Sequence, residues 1–189
     1  MKKLFLIIGA PGSGKTTDAE LIAKDSTVFT HYSTGDMLRA EVASGSKLGF
    51  EIDTYISQGL IVPIKIAIQT ITNAIKNAPC DNIIIDGYPR SLEQMTALDS
   101  FLLDDNNIEL MSVVEIRVSE DTARDRVLGR ARGADDNNEV FNNRMKVYIE
   151  PLNDIKSFYN EKNIYHVISG EGSIEEIVSK LEIFLSSKI

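Results

Sequence analysis

The residues best suited to chemistry form a glycine-rich stretch, 9–17, that reads Gly-Ala-Pro-Gly-Ser-Gly-Lys-Thr-Thr. It fits the pattern G-x-x-x-x-G-K-[S/T], and it stands between an apolar run, 4–8, and a helical pattern, 18–24. Glycines let backbone N–H groups crowd around a polyphosphate, the helix start adds the positive end of its dipole, and Lys15 adds a point charge. Thr16 is the expected partner of a nucleotide-bound Mg²⁺. A ligand-free strand-to-helix turn is the alternative, but the complete motif in this context favours a nucleotide-binding loop.

Asp86 is a second candidate, because it ends the apolar run 82–85. A carboxylate there could accept hydrogen bonds from the waters or the hydroxyl around Mg²⁺, a common companion of the phosphate loop. The alternative is a carboxylate that caps a turn or pairs with an arginine. The phosphate loop favours the first interpretation.

The arginines are concentrated in one part of an acidic chain, since six of the eight fall within residues 117–144. Arg126 and Arg130 are four apart on a predicted helix and share a face, and Arg132 begins the following loop. A solvated helix face with carboxylate partners is the alternative, and it is favoured only for two members of the group, Arg117 and Arg124. Transfer between two nucleotides brings several phosphates together, and planar, always-charged donors offset their repulsion.

Composition indicates one soluble globular domain of 189 residues. The net charge of −8 argues against a nucleic-acid or anionic-membrane binder. The single cysteine, Cys80, excludes a disulfide framework or a four-thiolate zinc site within one chain. The first apolar run is too short for a secretory signal, and no stretch approaches the roughly 20 apolar residues of a membrane span. We expect a cytoplasmic protein.

Apolar strand patterns alternate with helical patterns along the chain, which predicts a parallel sheet covered by helices on both faces. Such sheets bind ligands at the carboxyl ends of their strands, where every motif named here falls. Strands are predicted at 4–8, 28–32, 82–85, 109–118 and 165–168. Helices are predicted at 18–24, 37–43, 47–57, 63–78, 91–103, 119–129, 139–161 with a kink or break at Pro151, and 174–185.

These motifs make the chain resemble the nucleoside monophosphate kinases, and among them the adenylate kinases, over nearly its whole length. Residues 9–17 resemble the family's ATP phosphate loop, and 33–39 (Ser-Thr-Gly-Asp-Met-Leu-Arg) resemble the start of its monophosphate-site helix. The motif 86–90 (Asp-Gly-Tyr-Pro-Arg) followed by Gln94 is specific to the family. Residues 59–63 resemble the strip that lines the adenine of AMP, and residues 126–130 resemble the start of the lid that closes over ATP. Arg144 resembles the arginine on the helix that leaves the lid, and residues 170–172 fall where the family holds the adenine of ATP.

The resemblance implies a three-layer P-loop kinase fold with a parallel sheet of about five strands. It implies a single domain over 1–189 with two mobile parts, an AMP-binding segment at about 33–62 and a very short lid at about 130–136. The implied reaction is ATP + AMP ⇌ 2 ADP, which balances the adenine nucleotides. The implied protein is a monomer that uses Mg²⁺ and no zinc.

The resemblance also assigns roles to individual residues. The implied catalytic residues are Lys15, Arg90, Arg126, Arg132 and Arg144. ATP would be bound by Gly12, Ser13, Gly14, Lys15, Thr16, Thr17, Arg126, Arg130 and Gly172. AMP would be bound by Thr34, Gly35, Arg39, Leu60, Ile61, Val62, Gly87, Tyr88, Pro89, Arg90, Gln94, Arg132 and Arg144. Mg²⁺ would be held with the nucleotide by Thr16 and Asp86, through water.

The sequence departs from the family pattern beside the phosphate loop and in the lid. Residues 16–18 read Thr-Thr-Asp where the family usually has Gly-Thr-Gln, so either threonine could serve Mg²⁺. Lys65 stands where an acidic residue is common. The lid is shorter than the usual short lid, and Arg132 lies one position further from Asp135 than the pattern places it.

Three other functions remain open at this point. A kinase for UMP or CMP is disfavoured by Thr34 and Gln94, which resemble the adenylate type. A regulatory nucleotide-binding module without turnover would keep Lys15 but lose the arginines or the second site. A P-loop kinase acting on a small non-nucleotide acceptor would not need the motif 86–90 with Gln94.

Overall fold

The apolar runs of the sequence form one sheet of parallel strands in a computed structural model, which describes residues 1–24, 26–130 and 137–189, with Arg130 described by its backbone alone. The strands are β1 (Lys2–Gly9), β2 (Phe29–Ser33), β3 (Asn82–Asp86), β4 (Ile108–Arg117) and β5 (Tyr165–Ser169). They lie in the order β2-β3-β1-β4-β5, and every neighbouring pair is parallel. The predicted five-strand parallel sheet is confirmed.

Helices cover both faces of this sheet, as the alternating pattern predicts. The helices are α1 (Lys15–Lys24), α2 (Thr34–Ala43), α3 (Lys47–Ile56), α4 (Ile64–Asn77), α5 (Leu92–Asp104), α6 (Glu120–Arg130), α7 (Asn138–Ile149), α8 (Leu152–Glu161) and α9 (Ile174–Ser186).

The central strand β1 supplies side chains to two separate cores, one on each face. Leu4, Leu6 and Ile8 pack with residues of α3, α4, α5 and α8, whereas Phe5 and Ile7 pack with residues of α1 and α9. Successive strand side chains point to opposite faces. A strand buried on both faces must therefore be apolar at every position, which explains the unbroken run that predicts it.

Serine and asparagine side chains fix most helix starts. Ser33, Ser46, Ser91, Asn137 and Ser173 each accept a hydrogen bond from a backbone N–H in the first turn of the helix that follows.

Several predicted boundaries differ from the structure by one to three residues, and two differences have a clear physical cause. The predicted helix 139–161 is two helices, because Pro151 has no N–H to continue α7 and instead stands at the start of α8. Strand β1 begins at Lys2 rather than at residue 4, since its backbone N–H bonds the carbonyl of Asn107. The Lys2 ammonium also donates to three carbonyls near the end of α4, those of Ile75, Lys76 and Ala78.

The strand register brings the sequence motifs to one edge of the sheet. Asp86 aligns with Ile7 of β1 and Ser33 of β2, and Arg117 aligns with Ser169 of β5. The loops after β1, β2, β3 and β5 therefore meet at the carboxyl edge, where ligands bind in folds of this kind. In the part of the chain that the structure describes, no helix has the length and apolar character needed to cross a bilayer.

Candidate active site

The phosphate loop joins β1 to α1 and packs directly under α6. Gly12 has φ of +81°, and a Cβ there would lie 2.3 Å from the carbonyl oxygen of Ala123 in α6. Glycine is therefore needed both for the backbone conformation and for the close approach of α6. Lys15 begins α1, and its Nζ donates to the carbonyl of Ala10 at 3.3 Å, so the ammonium lies over the loop.

The predicted ATP residue Ser13 is buried inside the loop. Its side chain is 0% exposed, and its Oγ has no hydrogen-bond partner among the described residues. Its backbone N–H donates to Ala10, and its carbonyl accepts from Arg126. Ser13 thus shapes the loop from within.

Asp86 lies where three elements meet, at the end of β3. Its Oδ1 accepts from the Thr16 hydroxyl at 3.0 Å, its Oδ2 lies 2.7 Å from His31 Nε2, and its carbonyl accepts from the Thr34 hydroxyl at 2.8 Å. The side chains of His31 and Asp86 are almost fully buried. Thr17 faces away and lines a separate surface groove, so of the two threonines Thr16 is the one beside Asp86.

The oxygens of Thr16 and Asp86 fit the predicted Mg²⁺ site. A hydroxyl and a carboxylate lie side by side on the wall of the cleft, and Mg²⁺ prefers hard oxygen ligands while keeping several of its waters. These two residues would hold the ion.

The loop after β3 is stabilised by its own side chains. Arg90 Nε donates to the carbonyl of Gly87 at 2.7 Å, and the Arg90 backbone N–H donates to Gln94 Oε1 at 2.8 Å. The buried hydroxyl of Tyr88 donates to the carbonyl of Gln94 at 2.7 Å. These bonds hold the Arg90 guanidinium beside the cleft.

One cavity joins the phosphate loop to the predicted AMP segment. Its apolar wall comes from α2, α3, α7, α8 and the turn between α7 and α8. The sequence-predicted residues that line the cavity are Gly12, Lys15, Thr16, Gly35, Arg39, Leu60, Asp86, Gly87, Pro89, Arg90 and Arg144.

Other predicted residues of the described chain do not line this cavity. Thr34, Val62, Tyr88 and Gln94 are buried behind it, and Gly172 is exposed near the other end of the sheet edge. Gly14, Thr17 and Ile61 are partly exposed.

The cavity gathers positive charge. Burial lowers the pKa of Arg90, the Asp86 carboxylate acts in the opposite direction, and the charges of Arg144 and Arg39 lower the pKa further. Like charges held together repel each other. An anionic ligand would relieve that repulsion, so the arrangement suits phosphate groups.

Arg126 links the phosphate loop to the loop after β5. Its two terminal nitrogens donate to the carbonyls of Ser13 at 3.4 Å and Gly170 at 3.0 Å. Next to Gly170, the Glu171 carboxylate accepts from the Ser119 backbone N–H at 2.6 Å and from the Thr122 hydroxyl at 3.0 Å. The start of α6 is thus tied to the predicted ATP adenine segment.

The predicted lid and its arginine, Arg132, fall outside the described residues. The described residues end at Arg130, the last residue of α6, of which the backbone alone is described, and they resume at Asn137. The roles assigned to the lid and to these two arginines remain predictions.

Sequence reasoning missed His31, Glu115 and Tyr148. His31 gives only a weak signal, a polar residue two positions before the end of β2. Glu115 is a carboxylate inside an apolar strand, 1% exposed, and that anomaly could have marked it. Tyr148 lies four residues after Arg144 on the predicted helix, and this spacing alone carries no functional signal.

Comparison with known proteins agrees with this geometry. A family model described as adenylate kinase matches residues 7–164. The adenylate kinase of Campylobacter lari is 63% identical over 96% of each chain, and that of Helicobacter hepaticus is 63% identical over 100% of each chain. The adenylate kinase of Nautilia profundicola is 63% identical over 100% of this chain and 98% of its own. With a matching motif series, fold and cleft, the chain belongs to the adenylate kinase family.

Proposed function

We propose that this chain transfers the terminal phosphoryl group of ATP reversibly to AMP, giving two ADP, within the cleft described above. Family membership supports the ATP:AMP phosphotransferase activity. The observation that carries the proposal is that Lys15, Arg39, Arg90 and Arg144 line one cavity together with the Thr16–Asp86 pair. Four cations around one space are what two facing phosphate chains require.

In this proposal the protein acts by positioning and by charge stabilisation. Lys15 and the N–H groups of the loop hold the phosphates of ATP, and Arg39 and Arg90 hold the phosphate of AMP. Arg144 faces the group in transfer. No general base is required, because the acceptor is already an anion and phosphoryl transfer depends mainly on alignment.

Mg²⁺ held by Thr16 and Asp86 would neutralise charge on the transferring phosphates. The buried His31–Asp86 contact keeps the carboxylate turned toward Thr16, since it engages the other oxygen. The donors that would hold the ion are thus preorganised by their neighbours.

We assign the AMP base to the side of the cleft formed by Leu60 and α2. Gln94 is buried behind the cavity wall with its Oε1 accepting from the Arg90 backbone N–H, and in this proposal its amide would pair with the edge of adenine. The Thr34 hydroxyl, buried behind the same wall, donates to the Asp86 carbonyl, so its oxygen keeps its capacity to accept a hydrogen bond. Arg126, Arg130 and Arg132 would close over ATP from the lid side and exclude water.

The proposal is tested by initial rates with Mg-ATP against AMP, UMP, CMP and GMP at equal concentration. We expect a strong preference for AMP. A pyrimidine preference would overturn the base assignment, and no transfer to any acceptor would overturn the proposed reaction.

Substitution of the loop lysine tests the charge argument. Lys15→Met should lower kcat by about 10²–10³, as removal of one preorganised charge from a transition state does. The fold should survive, because Lys15 is only partly buried and its ammonium lies over the loop, where it donates to the carbonyl of Ala10. Circular dichroism and rate measurements check this, and an unfolded variant would contradict a ligand-serving role for Lys15.

A further inference from the structure

The proposed chemistry leaves unused a buried carboxylate on the neighbouring strand. Glu115 in β4 is 1% exposed and accepts hydrogen bonds from three residues. Arg117 donates through Nε at 2.9 Å and Nη2 at 2.7 Å, the Tyr148 hydroxyl donates at 3.0 Å, and the Tyr165 hydroxyl donates to Oε2. Burial raises the pKa of Glu115, but these bonds outweigh it and lower the pKa, so the acceptor is an anion.

The three donors differ in where they come from. Arg117 lies on the same strand as Glu115, and Tyr165 lies on the adjacent strand β5. These two fix the carboxylate within the sheet. Tyr148 lies on α7, so its bond ties a helix to the sheet.

Helix α7 carries Arg144 into the cleft one turn before Tyr148. Residues four apart on a helix share a face, and both side chains line the cavity. The helix ends at Ile149, just after Tyr148, and Pro151 separates it from the next helix, α8. The Tyr148 bond therefore anchors the last turn of α7 at a point where the helix itself stops.

The Tyr148–Glu115 hydrogen bond holds α7 in place against electrostatic repulsion between arginines. Arg144 lies close enough to Arg90 for its charge to lower the Arg90 pKa, so these two like charges repel each other across the cleft. The buried apolar side chains of Phe141 and Met145 seat α7 on the phosphate loop and α6, and Asn143 bonds the carbonyl of Gln58 at 3.0 Å. Apolar packing has no preferred direction, whereas a hydrogen bond to a carboxylate is directional, so the Tyr148 bond constrains the rotation of the helix about its axis.

We propose that Tyr148, held by Glu115, is a positioning residue that aligns Arg144 with the transferring phosphoryl group. This inference rests on the proposed role of Arg144. Tyr148 acts through the helix and takes no part in the chemistry itself.

The matched test compares Tyr148→Phe with Tyr165→Phe, because each removes one hydroxyl from the same carboxylate. Both variants should lose similar thermal stability. Tyr148→Phe should lower kcat about tenfold with little change in either KM, since a small misalignment affects the transition state most. Tyr165→Phe should keep kcat within about twofold of the unsubstituted enzyme.

A double-mutant cycle with Arg144→Ala separates positioning from general destabilisation. If Tyr148 acts through Arg144, the double variant should have the kcat of Arg144→Ala alone. Equal loss of kcat in the two tyrosine variants, or additive losses in the cycle, would overturn the inference. If Arg144→Ala itself keeps full kcat, the proposed role of Arg144 fails first, and with it the premise.

Discussion

Asp18 places a carboxyl group in the first turn of α1, directly behind the phosphate loop. The residue is 2% exposed, and its Oδ2 has no hydrogen-bond partner in the described part of the chain. A Cβ on Gly14 would lie 3.3 Å from that oxygen. Burial raises the pKa of Asp18 from 3.8 to about 6, although the charges of Arg126 and Lys15 lower it in part. A negative charge is thus poorly accommodated here, where the family usually has glutamine.

The raised pKa has a direct consequence for stability. The folded protein binds the proton more tightly than the unfolded chain, so the stabilisation is complete below pH 3.8 and is lost as the pH rises through about 6. Asp18→Asn should therefore match the parent near pH 4 and exceed its free energy of unfolding at pH 8, by up to about 3 kcal/mol. Urea unfolding in EDTA without nucleotide measures this.

The control for this prediction is Asp53→Asn, which alters an exposed aspartate on α3. Its free energy of unfolding should stay within about 0.5 kcal/mol of the parent at both pH values. A stability difference for Asp18→Asn that is the same at pH 4 and pH 8 would show that its ionisation plays no part.

Helix α6 depends on the phosphate loop for its place, because the two approach within contact distance at Gly12. The carbonyl of Ala123 would meet a Cβ at 2.3 Å, so any side chain must push α6 away from the loop. The same helix carries Arg126, whose bonds reach Ser13 and Gly170. A small displacement of the helix should therefore disturb both packing and the ATP side of the cleft.

Gly12→Ala tests this dependence against Gly45→Ala. Both glycines have positive φ, +81° and +70°, but a Cβ on Gly45 meets nothing within 4 Å. Gly45→Ala should lose only about 1–2 kcal/mol of stability from backbone strain and keep its activity. Gly12→Ala should lose about 2–4 kcal/mol and raise the KM for ATP. Similar stability and kinetics in the two variants would mean that α6 can move to accommodate the added methyl group without a loss of stability or a change in the KM for ATP.

Much of the whole molecule follows from local sequence pattern. Buried strands such as β1 need apolar residues at every position, and serines such as Ser33 cap helices by contacts within one turn, so both are readable along the chain. The phosphate loop and residues 86–90 were predictable because each is a contiguous motif. The His31–Asp86 and Tyr148–Glu115 contacts were not, since they join residues 55 and 33 positions apart through the strand register and helix packing.

The proposed reaction places two anionic ligands in one cleft, and this predicts how each ligand stabilises the protein. Each ligand at about 100 times its Kd should add about 2.7 kcal/mol, which for a chain of this size raises Tm by about 5–10 °C. A Mg-bound, non-hydrolysable ATP analogue and AMP should each raise Tm, and together should raise it further. Differential scanning fluorimetry measures these shifts.

Two substitutions, each of a basic residue by methionine, should separate the sites. Lys15→Met removes the charge at the phosphate loop, and Arg39→Met removes a half-exposed charge on α2 at the opposite wall of the cleft. Lys15→Met should abolish most of the ATP-analogue shift and keep the AMP shift, whereas Arg39→Met should do the reverse. Because each ligand stabilises only through the site it occupies, equal loss of both shifts in both variants would mean that the cleft holds one anion site rather than two.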